Sequence, residues 1–344
     1  MGWEERPLEK HVQWLLNEKL KAEGAKLWTQ YENTRNELVT EILPWIAKFG
    51  EGLTDHGVEH IADVIDNASY LLGFSNHHDE DWRKQVNHGF SPYEMLVLLT
   101  GLLLHDVGNI YGRERHNLKI DEVWSKLVSW KLWKDNEKRV IVDVGRAHSG
   151  KGADNSSDTI KGLSVYPRNF LKCPVRLAPI AAVVRFADEL AEGPQRTSHF
   201  LISNNLIEEG SKLFHQYADV TQVSIDRVGG RVALTYYINV DHQDYPSAPS
   251  ELEAHLTKLL QMVYSRAAKM NQERQFARHY ADVLSPFRET SISLTFLKKG
   301  LQVDLPLVPI TLNDISVSAD ATGLIEKLNA NYEIAKLVKQ VIVK

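Results

Sequence analysis

The stretch that decides the fold is "LLLHDVGN", residues 102–109, in which an unbroken apolar run ends in an adjacent histidine and aspartate. The run opens at Met95, and Met95-Leu96-Val97-Leu98-Leu99 followed by Leu102-Leu103-Leu104 reads as a helix apolar on every side, which belongs in a protein interior. Its last two side chains, His105 and Asp106, arrive in that interior with it. An unpaired buried polar group or charge is costly there. Either the two satisfy each other and the backbone, or a cation sits between them.

Around this run the first 200 residues keep a helical period. "PLEKHVQWLLNEKLKAE" (7–23) places Leu8, Val12, Leu15, Leu16 and Leu20 on one face. "AKLWTQYENTRNELVTEILPWIAKFG" (25–50) predicts a second helix that stops near Pro44 and Gly50. "DHGVEHIADVIDNASYLLGF" (55–74) predicts a third, with Thr54 or Asp55 as its cap. Further helices are expected at 116–132, 136–148 and 174–192. From about residue 205 the period changes: "VTQVSIDRVGGRVALTYYINV" (220–240) alternates on both sides of Gly229-Gly230, a hairpin signal. A long helix over 250–282 and strand-like sequence to about 312 follow. The expected fold is mainly α: a helical domain over 1–200, with helices 1–50 packing on it, then a smaller α+β accessory or regulatory domain over 201–344.

Composition narrows the function classes. At 344 residues the chain is 43% hydrophobic and 25% charged, with net charge −5, so no global basic excess points to nucleic acid. The single Cys173 excludes an internal disulfide framework and a cysteine-based zinc cluster. The longest apolar stretch is about half the roughly 20 residues that a bilayer crossing needs. The acidic "MGWEERPLEK" lacks the pattern of a signal peptide, and no myristoylation motif follows Gly2. The chain therefore reads as soluble and cytoplasmic, with no membrane partner. Of its fourteen histidines, His77, His78 and His88 fall in a polar loop-like stretch and read as surface.

The remaining polar residues at helix ends form a pattern. His60 stands in "DHGVEH", His105-Asp106 in "LLLHDVGN", His116 in "GRERHN", His148 in "GRAHSG" and Asp188 in "AAVVRFADEL". Neutral imidazoles and carboxylates together suit divalent Mn, Fe, Co, Ni or Zn, and side chains on facing helices can converge inside a bundle to hold such an ion. Read singly, each element has a structural explanation: a helix-end pair for His105-Asp106, an Arg185–Asp188 ion pair, a helix stop at His148. His56, one turn before His60, is an alternative ligand or a group at the pocket edge. "HGVEH" is no zincin half-motif, since no glutamate follows the first histidine, and "SGKG" (149–152) is no phosphate loop.

Taken in order, "TDHGxxH", "LLLHDxGN" and "xxRFADEL" resemble the HD-domain metal-dependent phosphohydrolase superfamily over roughly residues 50–195. The start of the pattern and the fused α+β tail also resemble bacterial HD proteins of conflict and antiviral defence. The resemblance implies an HD-type helical bundle in which His60, His105, Asp106 and Asp188 are the ligands of a common metal. One or two divalent ions (Mn, Fe, Ni, Co, Zn or Mg) are implied, with Asp106 bridging if there are two. His116 and His148 fall where dinuclear members place further ligands and where mononuclear members contact phosphate or donate a proton.

The implied activity is hydrolysis of a phosphoester of a nucleotide or nucleic acid by metal-activated water. Arg113 and Arg115, just ahead of His116, are the expected contacts to substrate phosphate. Arg146, Lys151 and Arg185 are further candidates, Arg185 alternatively holding Asp188. Two other classes share the pattern: a di-iron oxygenase of the same fold, and a nucleotide-binding regulatory module without turnover. The C-terminal domain is expected to carry homo-oligomer or protein-partner contacts.

Overall fold

The computed structural model describes residues 3–49, 54–74, 89–152, 154–163, 168–170, 172–204, 206–242, 245–314 and 321–343. The surface assignment of His77, His78 and His88 lies outside them. Packing divides the chain into two units, Met1–Ala191 with Phe276–Ser285, and Glu192–Gln275 with Pro286–Lys344.

The first unit is built of helices around the apolar run. Helix α1 (Pro7–Glu41) is broken at Lys21, whose φ of 54° and ψ of −126° are not helical. The sequence divides the segment at nearly the same place. Its two halves are tied by the buried carboxylate of Glu9, which accepts from Tyr31 Oη (2.7 Å) and Arg35 Nη1 (2.8 Å) on the second half. The same carboxylate accepts from the Arg6 amide (2.7 Å) and Trp3 Nε1 (2.9 Å) at the helix start. A buried charge persists only when paired in this way. Burial, with the neighbouring Glu9 charge, pushes the Tyr31 hydroxyl well above its ordinary pKa. A second break at Ile42 precedes α2 (Leu43–Phe49).

Helix α3 (Val58–Leu72) follows a turn in which Asp55 Oδ1 accepts from the Gly57 amide (2.8 Å), and it ends at Gly73 with φ 88°. Helix α4 (Pro92–Leu104) starts with a capping box, Ser91 and Glu94 each satisfying the other's backbone amide. Every residue from Tyr93 to Leu104 is buried, as an all-round apolar helix requires. It packs against α1, α3, α6 (Asp135–Arg146) and α7 (Leu177–Glu189). Two glycines bring α4 and α6 close. A Cβ on Gly101 would lie 2.9 Å from Val144 Cγ1, and one on Gly145 would lie 3.8 Å from His105 Cα at the end of α4.

The expected helix over 116–132 is three shorter pieces: a 3-10 turn at His116–Lys119, α5 (Ile120–Trp124) and a 3-10 turn at Val128–Leu132. A short hairpin of β1 (Arg168–Phe170) and β2 (Cys173–Val175) stands where the sequence suggests no strands.

The second unit carries a mixed sheet. Strands β3 (Thr221–Asp226) and β4 (Arg231–Asn239) pair antiparallel across Gly229-Gly230, where Gly230 has φ 69°. Strand β5 (Glu289–Lys298) runs parallel to β4, in register from Arg231↔Glu289 to Asn239↔Leu297. Parallel neighbours need a long crossover, and the Pro249–Tyr280 helix supplies it. The buried Arg274 on that helix donates to Phe287 O (2.8 Å), Thr290 Oγ1 (3.1 Å), Asn271 Oδ1 (2.8 Å) and Asp314 Oδ1 (2.9 Å). These bonds fix the start of β5 to the helix. The whole is mainly α with a small α+β part. A boundary at residue 200 leaves out the return of residues 276–285 to the first unit. Among the described residues no single helix is long and apolar enough to cross a membrane.

Candidate metal centre

Four helices and a turn deliver six side chains to one place. His60 comes from the first turn of α3, His105 and Asp106 from the end of α4, His116 from the 3-10 turn after it, His148 from beyond the end of α6, and Asp188 from the last turn of α7. His60, His105, Asp106 and His148 are buried; Asp188 keeps a quarter of its side chain exposed and His116 an eighth.

The two oxygens of Asp106 face two different groups. Oδ2 looks toward His60 Nε2 (3.3 Å) and His105 Nε2 (3.6 Å), and both nitrogens stand at the same distances from Asp188 Oδ1. Oδ1 looks toward His116 Nε2 (3.1 Å) and His148 Nε2 (3.5 Å). Two donor clusters result, His60-His105-Asp106-Asp188 and Asp106-His116-His148, each compact enough for a metal ion and sharing Asp106.

Backbone geometry selects the tautomers. Nδ1 of His105 lies 2.8 Å from Leu102 O, that of His116 3.0 Å from Arg113 O, and that of His148 2.6 Å from Gly145 O. Each partner is the carbonyl three residues earlier in the chain. A carbonyl only accepts, so Nδ1 carries a proton in all three rings and Nε2 is the nitrogen left facing inward for a cation, proton or metal. This is the arrangement by which proteins orient histidine ligands. Without a cation the site is short of partners: Nε2 of His105 and both ring nitrogens of His60 are buried with no hydrogen bond, and the Nε2 atoms of His116 and His148 lie 3.0 Å apart. The donors present therefore fit a divalent ion.

Electrostatics agree. Burial alone would lower the pKa of His105, but Asp106 and Asp188 outweigh it and push it up to about 9. Burial would raise Asp106 and Asp188, yet the surrounding imidazoles hold both carboxyls well below the ordinary range. His148 is lowered by its burial and by the His105 charge. The pocket is thus a negative site that takes up a proton wherever no other cation is held.

Neighbouring residues set the frame. Gly108 stands against the turn of His116: a Cβ there would fall 1.9 Å from His116 O. Asn117 Nδ2 donates to Arg146 O (3.0 Å) and Ser149 O (2.9 Å), pinning the turn that carries His148. Neither appears in the sequence reading, although the glycine of "HDVGN" was its signal. Gly108→Ala is expected to displace His116, destabilise the fold by about 1–3 kcal/mol and weaken divalent-ion binding, which denaturant melts and a Mn2+ titration will show.

The basic candidates separate. Arg113 is exposed, with Nη1 on His56 Nε2 (2.9 Å); His56 Nδ1 in turn lies 2.7 Å from Asp106 Oδ2. His56 therefore stands behind the carboxylate, while His60 faces the gap between Asp106 and Asp188. Arg115 is exposed, at a left-handed φ of 52°, and Lys151 is exposed in the loop after His148. Two candidates for substrate phosphate are engaged elsewhere. Arg146 pairs with Asp121, and Arg185 donates to Ser157 O (2.9 Å) and Thr159 Oγ1 (3.0 Å) with its guanidinium on the Phe276 ring.

A helical bundle that presents His, His-Asp and Asp from successive helix ends to one buried point defines an HD-type domain, and with its donor set it fits a metal-dependent hydrolase. The chain belongs to the HD-CE family, whose family model matches residues 50–266. No curated protein and no solved structure matches the chain. The match runs beyond the first unit, which ends at Ala191 before its return at 276, into the second.

Proposed function

We propose that this chain is a divalent-metal-dependent phosphohydrolase acting on a phosphoester of a nucleotide or nucleic acid. The observation that carries the reading is the single carboxylate of Asp106 set between two groups of inward-facing Nε2 atoms. His60, His105, Asp106 and Asp188 would hold one ion, and Asp106, His116 and His148 a second. A divalent cation in such a site supplies Lewis-acid activation of water near neutral pH and polarisation of a phosphoryl oxygen.

The chain's own groups do the rest. Arg113 and Arg115, exposed beside His116, offer guanidinium forks matched to phosphate oxygens. In the second donor group His116 is more open than His148, with 12% against 1% of its side chain exposed, so it borders the side from which a phosphoester would enter. The apolar walls of α4 and α7 keep bulk water from the inner donors.

The test is a panel of nucleoside mono- and triphosphates, cyclic nucleotides and short oligonucleotides, incubated with metal-free protein and added Mn2+, Fe2+ or Zn2+. Phosphate or phosphomonoester product that depends on the added ion supports the reading. The same six donors suit an iron pair, so oxygen uptake without phosphate release would assign the oxygenase chemistry instead.

A further inference from the structure

Asp106 can lie between two groups only if its carboxylate is held in one orientation, and His56 and Arg113 are placed to hold it. An arginine cannot accept a hydrogen bond, so the 2.9 Å contact between Arg113 Nη1 and His56 Nε2 uses the lone pair of that nitrogen. The neutral ring then carries its proton on Nδ1, 2.7 Å from Asp106 Oδ2, and donates it to the carboxylate. His56 is buried, whereas Arg113 is exposed, so the chain of bonds runs from the surface to the centre of the site.

We propose that His56 is a positioning residue: with its tautomer fixed by Arg113, it locks the Asp106 carboxylate so that Oδ2 serves His60, His105 and Asp188 while Oδ1 serves His116 and His148. The inference rests on the reading of this cluster as a cation site. It carries a consequence opposite in sign to simple electrostatics. Arg113 is a positive charge close to a cation site, so its removal should tighten cation binding by Coulomb's law. In the positioning scheme its removal frees His56 to turn its lone pair on Asp106, and binding weakens.

The experiment is a calorimetric Mn2+ titration of the metal-free full-length chain and its variants, with circular dichroism to establish folding. His56→Leu should loosen Mn2+ by about 10–100-fold, the usual cost of losing a hydrogen-bond partner behind a ligand. His56→Asn places an amide N–H where Nδ1 stands and should recover most of the loss, to within about threefold of the parent. Arg113→Met should loosen Mn2+ about tenfold in the parent and should not loosen it in the His56→Asn background, where no tautomer needs fixing and only the charge effect remains.

Unchanged or tighter binding in Arg113→Met overturns the proposal, as does parental affinity in a folded His56→Leu. If His56→Leu fails to fold, the Asn and Met variants decide. His60→Ala separates the two levels of the account. Loss of Mn2+ in His60→Ala with parental affinity in Arg113→Met keeps the metal centre and removes the positioning role. A parent chain that binds no Mn2+ removes both.

Discussion

Asp106→Ala is expected to lose divalent-ion binding and phosphoester hydrolysis together, while the helical content stays that of the parent. The residue is the only one whose oxygens reach both donor clusters among the described residues. Its removal leaves His60, His105 and Asp188 one donor short on one side, and only His116 and His148 on the other. A group that activates and orients the nucleophile through a cation accounts for several powers of ten in rate; a fall of about 10³-fold or more in kcat/KM corresponds to about 4 kcal/mol. The fold should survive, because α4 is held by the apolar contacts of Tyr93 to Leu104 rather than by its last polar residue. Full hydrolysis by folded Asp106→Ala would place the chemistry elsewhere in the chain.

The second large effect is on pH and protons. In the metal-free protein His105 holds its proton up to about pH 9, against about 6.5 for a free imidazole. Because the folded value is raised, the native state binds more protons than the unfolded chain across that window. The stabilisation is fully present below about pH 6.5 and is lost as pH rises through 9, amounting to about 3 kcal/mol for a shift of this size. The metal-free protein should therefore melt at progressively lower temperature from pH 6.5 to 9.5, and His105→Gln should flatten that dependence. Asp106 and Asp188 act in the opposite sense: their lowered values contribute stability that is lost as pH falls through them. A cation that takes the place of the His105 proton must release it. Calorimetric titrations near pH 7.5 in two buffers of different ionisation enthalpy should report about one proton released per ion bound at the His105 group. No buffer dependence would contradict this account of the site.

Much of the site was legible in the sequence because its residues stand at ends of apolar helices. A polar pair closing the run from Met95 to Leu104 has no place but the interior, and His60 and Asp188 sit on helices with apolar faces that pack in the same interior, which leaves these elements free to converge there. The structure brings His116 and His148 to the same point. What the sequence did not show depends on contacts between distant segments. The role of His56 was open because one helical turn separates it from His60, and only the partners of each ring tell them apart. Arg146 and Arg185 looked available for phosphate because Asp121 and the 157–159 loop are not their neighbours in any local pattern. Gly101 and Gly145 resemble ordinary helix glycines until the crossing of α4 and α6 is seen. The Gly229-Gly230 hairpin was plain from alternation, but the parallel pairing of β4 with β5 was not, since a crossover leaves no local mark.

The central claim, that one buried His/Asp cluster holds the cation on which activity depends, is most directly tested by metal analysis of the purified chain. Protein stripped with chelator, reloaded with Mn2+ and freed of excess should retain at least one equivalent of metal together with its hydrolytic activity. His105→Ala and Asp188→Ala, folded by circular dichroism, should retain neither. Metal content in those variants equal to the parent, or phosphate release by the parent that persists in chelator, would contradict the account.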